Sequence, residues 1–102
     1  MTPQQARHLV REAKWQVVRL EILERDDWTC QVCDRAAECV HHILGRKYPS
    51  LFLDERYLAA ICWECNQSDV ADTVTARQEL LEKLANLRGY DYSDCPDHQY
   101  IS

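Results

Sequence analysis

Long apolar runs, glycine and proline are what this chain has least of. No stretch of about 18 apolar residues occurs, so no membrane-spanning helix is expected. The segment Met1–Arg11 is polar and lacks the hydrophobic centre of a signal peptide. Secretion is therefore not expected, and a reducing, cytoplasmic setting is. Only two glycines and three prolines are present, which argues against long flexible linkers. Internal repeats and low-complexity tracts are also missing. At 102 residues the chain has room for one domain with a modest core, the size at which an added staple helps folding.

What is present begins with ordinary globular content, 46% hydrophobic and 28% charged, so general disorder is not expected. The net charge of −5 weighs against a nucleic-acid partner. The distribution changes that. Residues 1–25 carry Arg7, Arg11, Lys14, Arg19 and Arg25 against Glu12, Glu21 and Glu24, a local excess of positive charge. The acids are concentrated downstream, where they can attract a cation as well as repel phosphate.

Residues 1–25 read as a helix. Thr2 suits the N-cap, Pro3 the first turn, and Gln5 the capping-box position. Ala6, Val10, Ala13, Val17 and Leu20 then recur at spacings of four and three, one face of a helix. Cys39 to Ile43 and Tyr57 to Ile61 read as short strands, separated by a loop that contains Pro49. Val74, Arg77, Leu80, Leu81, Leu84 and Leu87 mark a second amphipathic helix ending near Gly89. The tail from Tyr90 to Ser102 either packs back or frays. The expected organisation is a single domain over residues 1–102: N-terminal helix 1–25, central unit 26–73, C-terminal helix and tail 74–102.

The strongest chemical signal is Cys30-x2-Cys33 followed by Cys62-x2-Cys65. Two such pairs supply four thiolates for a tetrahedral structural Zn2+, whose binding energy adds to folding. A thioredoxin-like redox pair would need a single pair in a βαβ setting, which this chain lacks. The gap between the pairs is 28 residues, longer than in a plain ribbon, so something else is housed between the knuckles. Cys39 is expected to be a small core residue. Cys95 and His98 have metal-like spacing, but two polar tail residues are the plainer reading. Trp15, Trp28 and Trp63 are expected to pack in the core or against the zinc site.

Between the knuckles lies Val40-His41-His42-Ile43. Taken with Arg25-Asp26-Asp27 before the first knuckle, and Asp54-x2-Tyr57-Leu58-x2-Ile61-Cys62-x2-Cys65-Asn66 after it, this stretch resembles the zinc-containing HNH endonucleases. The match covers about residues 18–70. The resemblance implies a small α+β fold: a ββα-metal core with a four-cysteine zinc ribbon, flanked by N-terminal and C-terminal helices. It implies a metal-dependent DNA endonuclease in which His42 is the general base. His41 and Asn66 would be ligands of a catalytic divalent cation, Mg2+, Mn2+ or Zn2+. Tyr57 stands where the family motif has Asn, a departure at the residue that buttresses the loop. A non-catalytic zinc module that binds nucleic acid or protein is the alternative, favoured by Tyr57 and by the net charge.

Phosphodiester hydrolysis needs a nucleophilic water, charge relief on phosphoryl oxygens and help for the leaving oxygen. An imidazole is suited to take the water's proton. Adjacent histidines on a regular strand point to opposite sides, so a shared site needs a bulge or a strand end. The plain reading of the pair is two half-buried histidines. Asn66 also reads as a helix cap, and Asp54 as a turn former. Arg46 and Lys47 follow the strand and are either phosphate contacts or solvated loop charges. DNA is the expected partner. A protein partner in a phage or restriction setting remains open.

Overall fold

The first helix starts where its capping signals predicted. In the computed structural model, which describes residues 2–45 and 47–100, with only the backbone of His98, α1 spans Pro3–Arg25. The Gln5 amide donates to Thr2 Oγ1 at 3.2 Å, and the Thr2 amide donates to Gln5 Oε1 at 2.8 Å, a reciprocal capping box. The helix ends at Asp26. Asp27 and Trp28 then take left-handed backbone conformations, with φ of 56° and 51°, and turn the chain away.

Two strands follow, β1 (Cys39–His42) and β2 (Leu58–Ile61). They pair antiparallel in the register Cys39↔Ile61, Val40↔Ala60, His41↔Ala59 and His42↔Leu58, without a bulge. All four residues of β2 are buried, and Ala59, Ala60 and Ile61 belong to the core cluster with Leu23, Ile43, Tyr57 and Leu84. The intervening loop carries 3-10 turns at Pro49–Leu51 and Glu55–Tyr57. Asp54 caps the second turn by accepting from the Arg56 amide, the turn-forming role expected of it. The Ile43 amide donates to the Tyr57 carbonyl at 2.9 Å and closes the loop at its base.

A short helix α2 (Trp63–Gln67) begins directly after β2. Asn66 is therefore inside this helix and is not its cap; Cys62 is the N-cap. The last helix, α3 (Val74–Arg88), is capped by Thr73 Oγ1 at the Ala76 amide and stopped by Gly89 at φ 70°. Leu80, Leu81 and Leu84 enter the core, while Val74 and Leu87, on the same sequence pattern, stay exposed. The tail packs back: Cys95 and Tyr100 are buried, and the Tyr92 hydroxyl donates to the Arg56 carbonyl at 2.6 Å. Among the described residues no helix is long and apolar enough to cross a membrane.

The elements are fastened by a buried carboxylate. Asp26 has no exposed side-chain surface. It accepts from Arg25 at 2.8 and 2.9 Å and from the Ala60 amide, in the middle of β2, at 2.9 Å. Arg25 also donates to the carbonyls of Glu55 and Leu58, and Arg88 reaches Asp26 from α3. One ion pair thus joins α1, the loop, β2 and α3. A buried charge is tolerable when paired and hydrogen-bonded in this way.

Candidate metal centre and histidine pair

The first knuckle is built around the Thr29–Ala36 bridge. The Asp34 amide donates to the Cys30 carbonyl at 2.9 Å, and Asp34 takes a left-handed φ of 67°, so the chain doubles back within four residues. The Gln31 amide donates to the Ala60 carbonyl and fixes the knuckle to β2. The second knuckle is the end of β2 and the start of α2. Here Cys62 Sγ accepts from the Cys65 amide at 3.4 Å.

The two knuckles bring Cys30, Cys33, Cys62 and Cys65 together. All four sulfurs lie within 4.8 Å of one another, and Cys33 Sγ is 3.6 Å from Cys62 Sγ. Four thiolates at about 2.3 Å from a tetrahedral zinc are separated by roughly 3.8 Å, so the cluster could hold such an ion. The protonation equilibria agree with this. Burial pushes the Cys30 thiol up, but the backbone N–H groups of Cys62, Cys33 and Val32 together outweigh it and hold it down to about 7. Cys65 is pushed up by burial and by the neighbouring thiols. Four thiols that cannot all ionise side by side make a site that a divalent cation would relieve. Among the described residues this is the one such group of three or more His, Cys, Asp or Glu side chains.

His41 and His42 leave β1 on opposite sides, as the pleat requires. His41 turns toward the segment before α3. Its Nε2 is buried, makes no hydrogen bond among the described residues, and lies 3.6 Å from Asp72 Oδ1. Burial lowers its pKa below the ordinary imidazole value; Asp72 pulls it up and Arg77 pushes it down. His42 turns toward α1 and the loop. Its ring stacks on Trp15 at 4.8 Å and on Phe52 at 4.7 Å, and its Nε2 is 3.2 Å from the Phe52 carbonyl oxygen. Arg11 lies over the outer side of Phe52, 4.0 Å from the ring centre. Beside this stack is an open cleft of about 240 Å³ lined by His8, Arg11, Glu12, Trp15 and Phe52.

The remaining sequence candidates are placed as follows. Tyr57 is buried with its ring edge on Tyr92, and its hydroxyl has no hydrogen bond among the described residues. Burial first, and Cys95 second, raise its pKa. Asn66 is half-buried on α2, in the turn that carries Cys65. Arg46 lies outside the described residues, while Lys47 is exposed. Cys39 is partly buried against the core, close to expectation. Cys95 is not a polar tail residue: it is buried, with its thiol donating to the Asp97 carbonyl, and the His98 side chain lies outside the described residues. Trp28 and Trp63 are exposed and not core, because the left-handed turn at residues 27–28 and the first turn of α2 hold them outside.

Phe52 and Asp72 are neighbours of the histidines that the sequence did not single out, and Trp15 and Arg11 were not expected beside them. Motif spacing carries no signal for these contacts, since all four residues come from outside the two strands. Comparison with family models, with curated proteins and with solved structures finds no match for this chain.

Proposed function

We propose that the protein is a metal-dependent phosphodiesterase acting on DNA, of the HNH endonuclease class, with His42 as general base. The observation that carries this reading is the contact between His42 Nε2 and the Phe52 carbonyl. A carbonyl can only accept a hydrogen bond, so Nε2 keeps the proton and the lone pair of the neutral ring sits on Nδ1. That is the tautomer and the fixed orientation that a proton acceptor needs. Trp15 and Phe52 hold the ring plane. Arg11 and His8 at the adjacent cleft supply donors for a phosphate.

His41 is the better placed of the proposed ligands of a catalytic divalent cation. Its buried Nε2, without a hydrogen bond among the described residues, and the adjacent Asp72 carboxylate form a nitrogen and oxygen donor set that fits Mn2+ or Zn2+. Asp72 joins His41 as a proposed ligand, with Asn66 a further candidate. When bound, such an ion supplies charge relief on the phosphate and the leaving oxygen. The structural Zn2+ at the four cysteines has no part in the chemistry and holds the frame.

A second reading is favoured by the divergence of His41 and His42 and by Tyr57 at the motif's Asn position. In that reading the domain is a non-catalytic zinc module that binds nucleic acid or a protein. Supercoiled plasmid incubated with zinc-loaded protein and Mg2+ or Mn2+ separates the two. The nuclease reading expects nicked or linear product. It also expects His42→Ala to abolish cleavage with zinc content unchanged, and His41→Ala to raise the metal concentration required. No cleavage with any common divalent ion gives the second reading its place.

A further inference from the structure

The carbonyl that meets His42 belongs to a loop outside both strands. Phe52 follows one 3-10 turn, Pro49–Leu51, and precedes another, Glu55–Tyr57. The backbone bonds beside it are local: the Phe52 amide donates to the Pro49 carbonyl at 3.2 Å, and the Asp54 amide to the Leu51 carbonyl at 3.1 Å. Trp15 and Arg11 of α1 hold the Phe52 ring. Without a ladder, the direction of the carbonyl depends on side-chain ties from the loop to the body.

The C-terminal tail supplies such ties on both sides of Phe52. Before it in the chain, the Tyr48 hydroxyl donates to Asp97 Oδ2 at 3.2 Å. After it, Arg56 Nη1 donates to Asp94 Oδ1 at 2.7 Å and to the Asp91 carbonyl at 2.8 Å. Arg56 Nη2 reaches Asp54 Oδ2 at 2.8 Å, so one guanidinium joins the loop's own carboxylate to the tail. The Tyr92 hydroxyl donates back to the Arg56 carbonyl. The tail is itself seated on α3, where Gln78 donates to the Gln99 carbonyl at 2.6 Å and Arg77 to the Tyr100 hydroxyl at 3.1 Å. An isolated exposed ion pair contributes little. Arg56 differs, because its planar fork engages three partners at once and its side chain is only 25% exposed. It also holds the Asp94 carboxyl below the ordinary carboxylate range.

We propose that Arg56, with Tyr48 as its counterpart, is a positioning residue for His42: together they strap the loop to the tail on both sides of Phe52 and keep the Phe52 carbonyl on His42 Nε2–H. Loosening the strap lets the carbonyl swing, and the imidazole loses the acceptor that orients it. The catalytic consequence rests on the reading of His42 as general base; the geometric one does not.

The test is NMR of zinc-loaded protein carrying 15N-labelled histidine. Wild type is expected to show a His42 Nε2–H resonance protected from solvent exchange. Arg56→Gln, and the double variant Tyr48→Phe with Asp94→Asn, are expected to lower that protection by about tenfold or more, beyond what their urea melts account for. The double variant changes a half-buried hydroxyl and a carboxylate that is 64% exposed, so it serves where Arg56→Gln does not fold. In plasmid cleavage with Mg2+ or Mn2+, the same variants are expected to lose about 10–100-fold in kcat, with KM within about twofold of wild type. A wild type without a protected His42 Nε2–H overturns the proposal. So does protection that the folded variants leave unchanged, or that falls only as far as global stability falls. Variants that lose protection and keep kcat remove the catalytic role of the strap. A wild type that cleaves nothing defeats the general-base reading instead, and the NMR comparison still decides the strap.

Discussion

Asp26 shows how much one side chain can hold. It satisfies Arg25, receives the Ala60 amide and is approached by Arg88, all without solvent contact. Replacing it with alanine leaves the Arg25 charge without its carboxylate and the Ala60 amide without its acceptor in the interior. Asp26→Ala is expected to cost about 3–5 kcal/mol in urea unfolding; a loss below about 1 kcal/mol would show that the anchor is dispensable. His41 makes a complementary case through protonation. Its folded pKa lies below the ordinary imidazole value, chiefly from burial. The unfolded chain therefore binds the extra proton first as pH falls, and stability drops progressively below about pH 6.5. Urea melts between roughly pH 5 and 8, without added Mg2+ or Mn2+, should show this slope. His41→Gln should flatten it, and an unchanged slope would mean that His41 is not its source.

At the scale of elements, the two knuckles owe their proximity to backbone bonds onto β2 and to Cys62, which is both the cap of α2 and one of the clustered thiols. Zinc-loaded protein should carry one tightly held zinc, and a strong chelator should release it together with the structure of residues 29–38. Circular dichroism and thiol titration would follow both. Reagent-accessible thiols without loss of structure would show that the metal is not a staple. The elements were also the most legible part of the sequence. Thr2, Pro3, Gln5 and Gly89 act locally, through bonds within one turn, and they mark helix ends where the structure has them. The paired cysteines are equally local and meet as expected. The apolar stripe of α1 marks one face of the helix, as expected, but helical periodicity shows that a face is apolar and does not show what covers it. Val10 and Val17 are exposed, while Trp15, with no periodic signal, carries the contact.

For the whole molecule, the separation of charge matters more than its sum. The cations of α1 lie along an exposed helix, and Arg7, Arg11 and Lys14 border a shallow surface that ends at Leu53 of the loop, next to the His42 stack. The acids of the central unit and tail are partly consumed: Arg56 alone engages Asp54 and Asp94. A chain with net charge −5 can in this way still present a positive strip to phosphate. If the protein engages DNA as proposed, Arg11→Ala with Lys14→Ala is expected to weaken that binding and to reduce its salt slope by about two. Fluorescence anisotropy across a salt series measures both, and an unchanged slope would move the interface elsewhere. Divergent neighbours of His41 and His42 were foreseeable from strand geometry. Their identities were not, since Trp15, Phe52 and Asp72 reach them only through tertiary packing.

The three tryptophans are unequal, and that gives the protein an optical handle. Trp28 and Trp63 emit from water, whereas the indole of Trp15 rests on an imidazole and beside a phenyl ring. With the two exposed indoles replaced by phenylalanine, the remaining emission reports on one joint: the place where the first helix meets the loop between the strands. Any ligand that lifts the helix off that loop would announce itself as a change in colour, with no product formed.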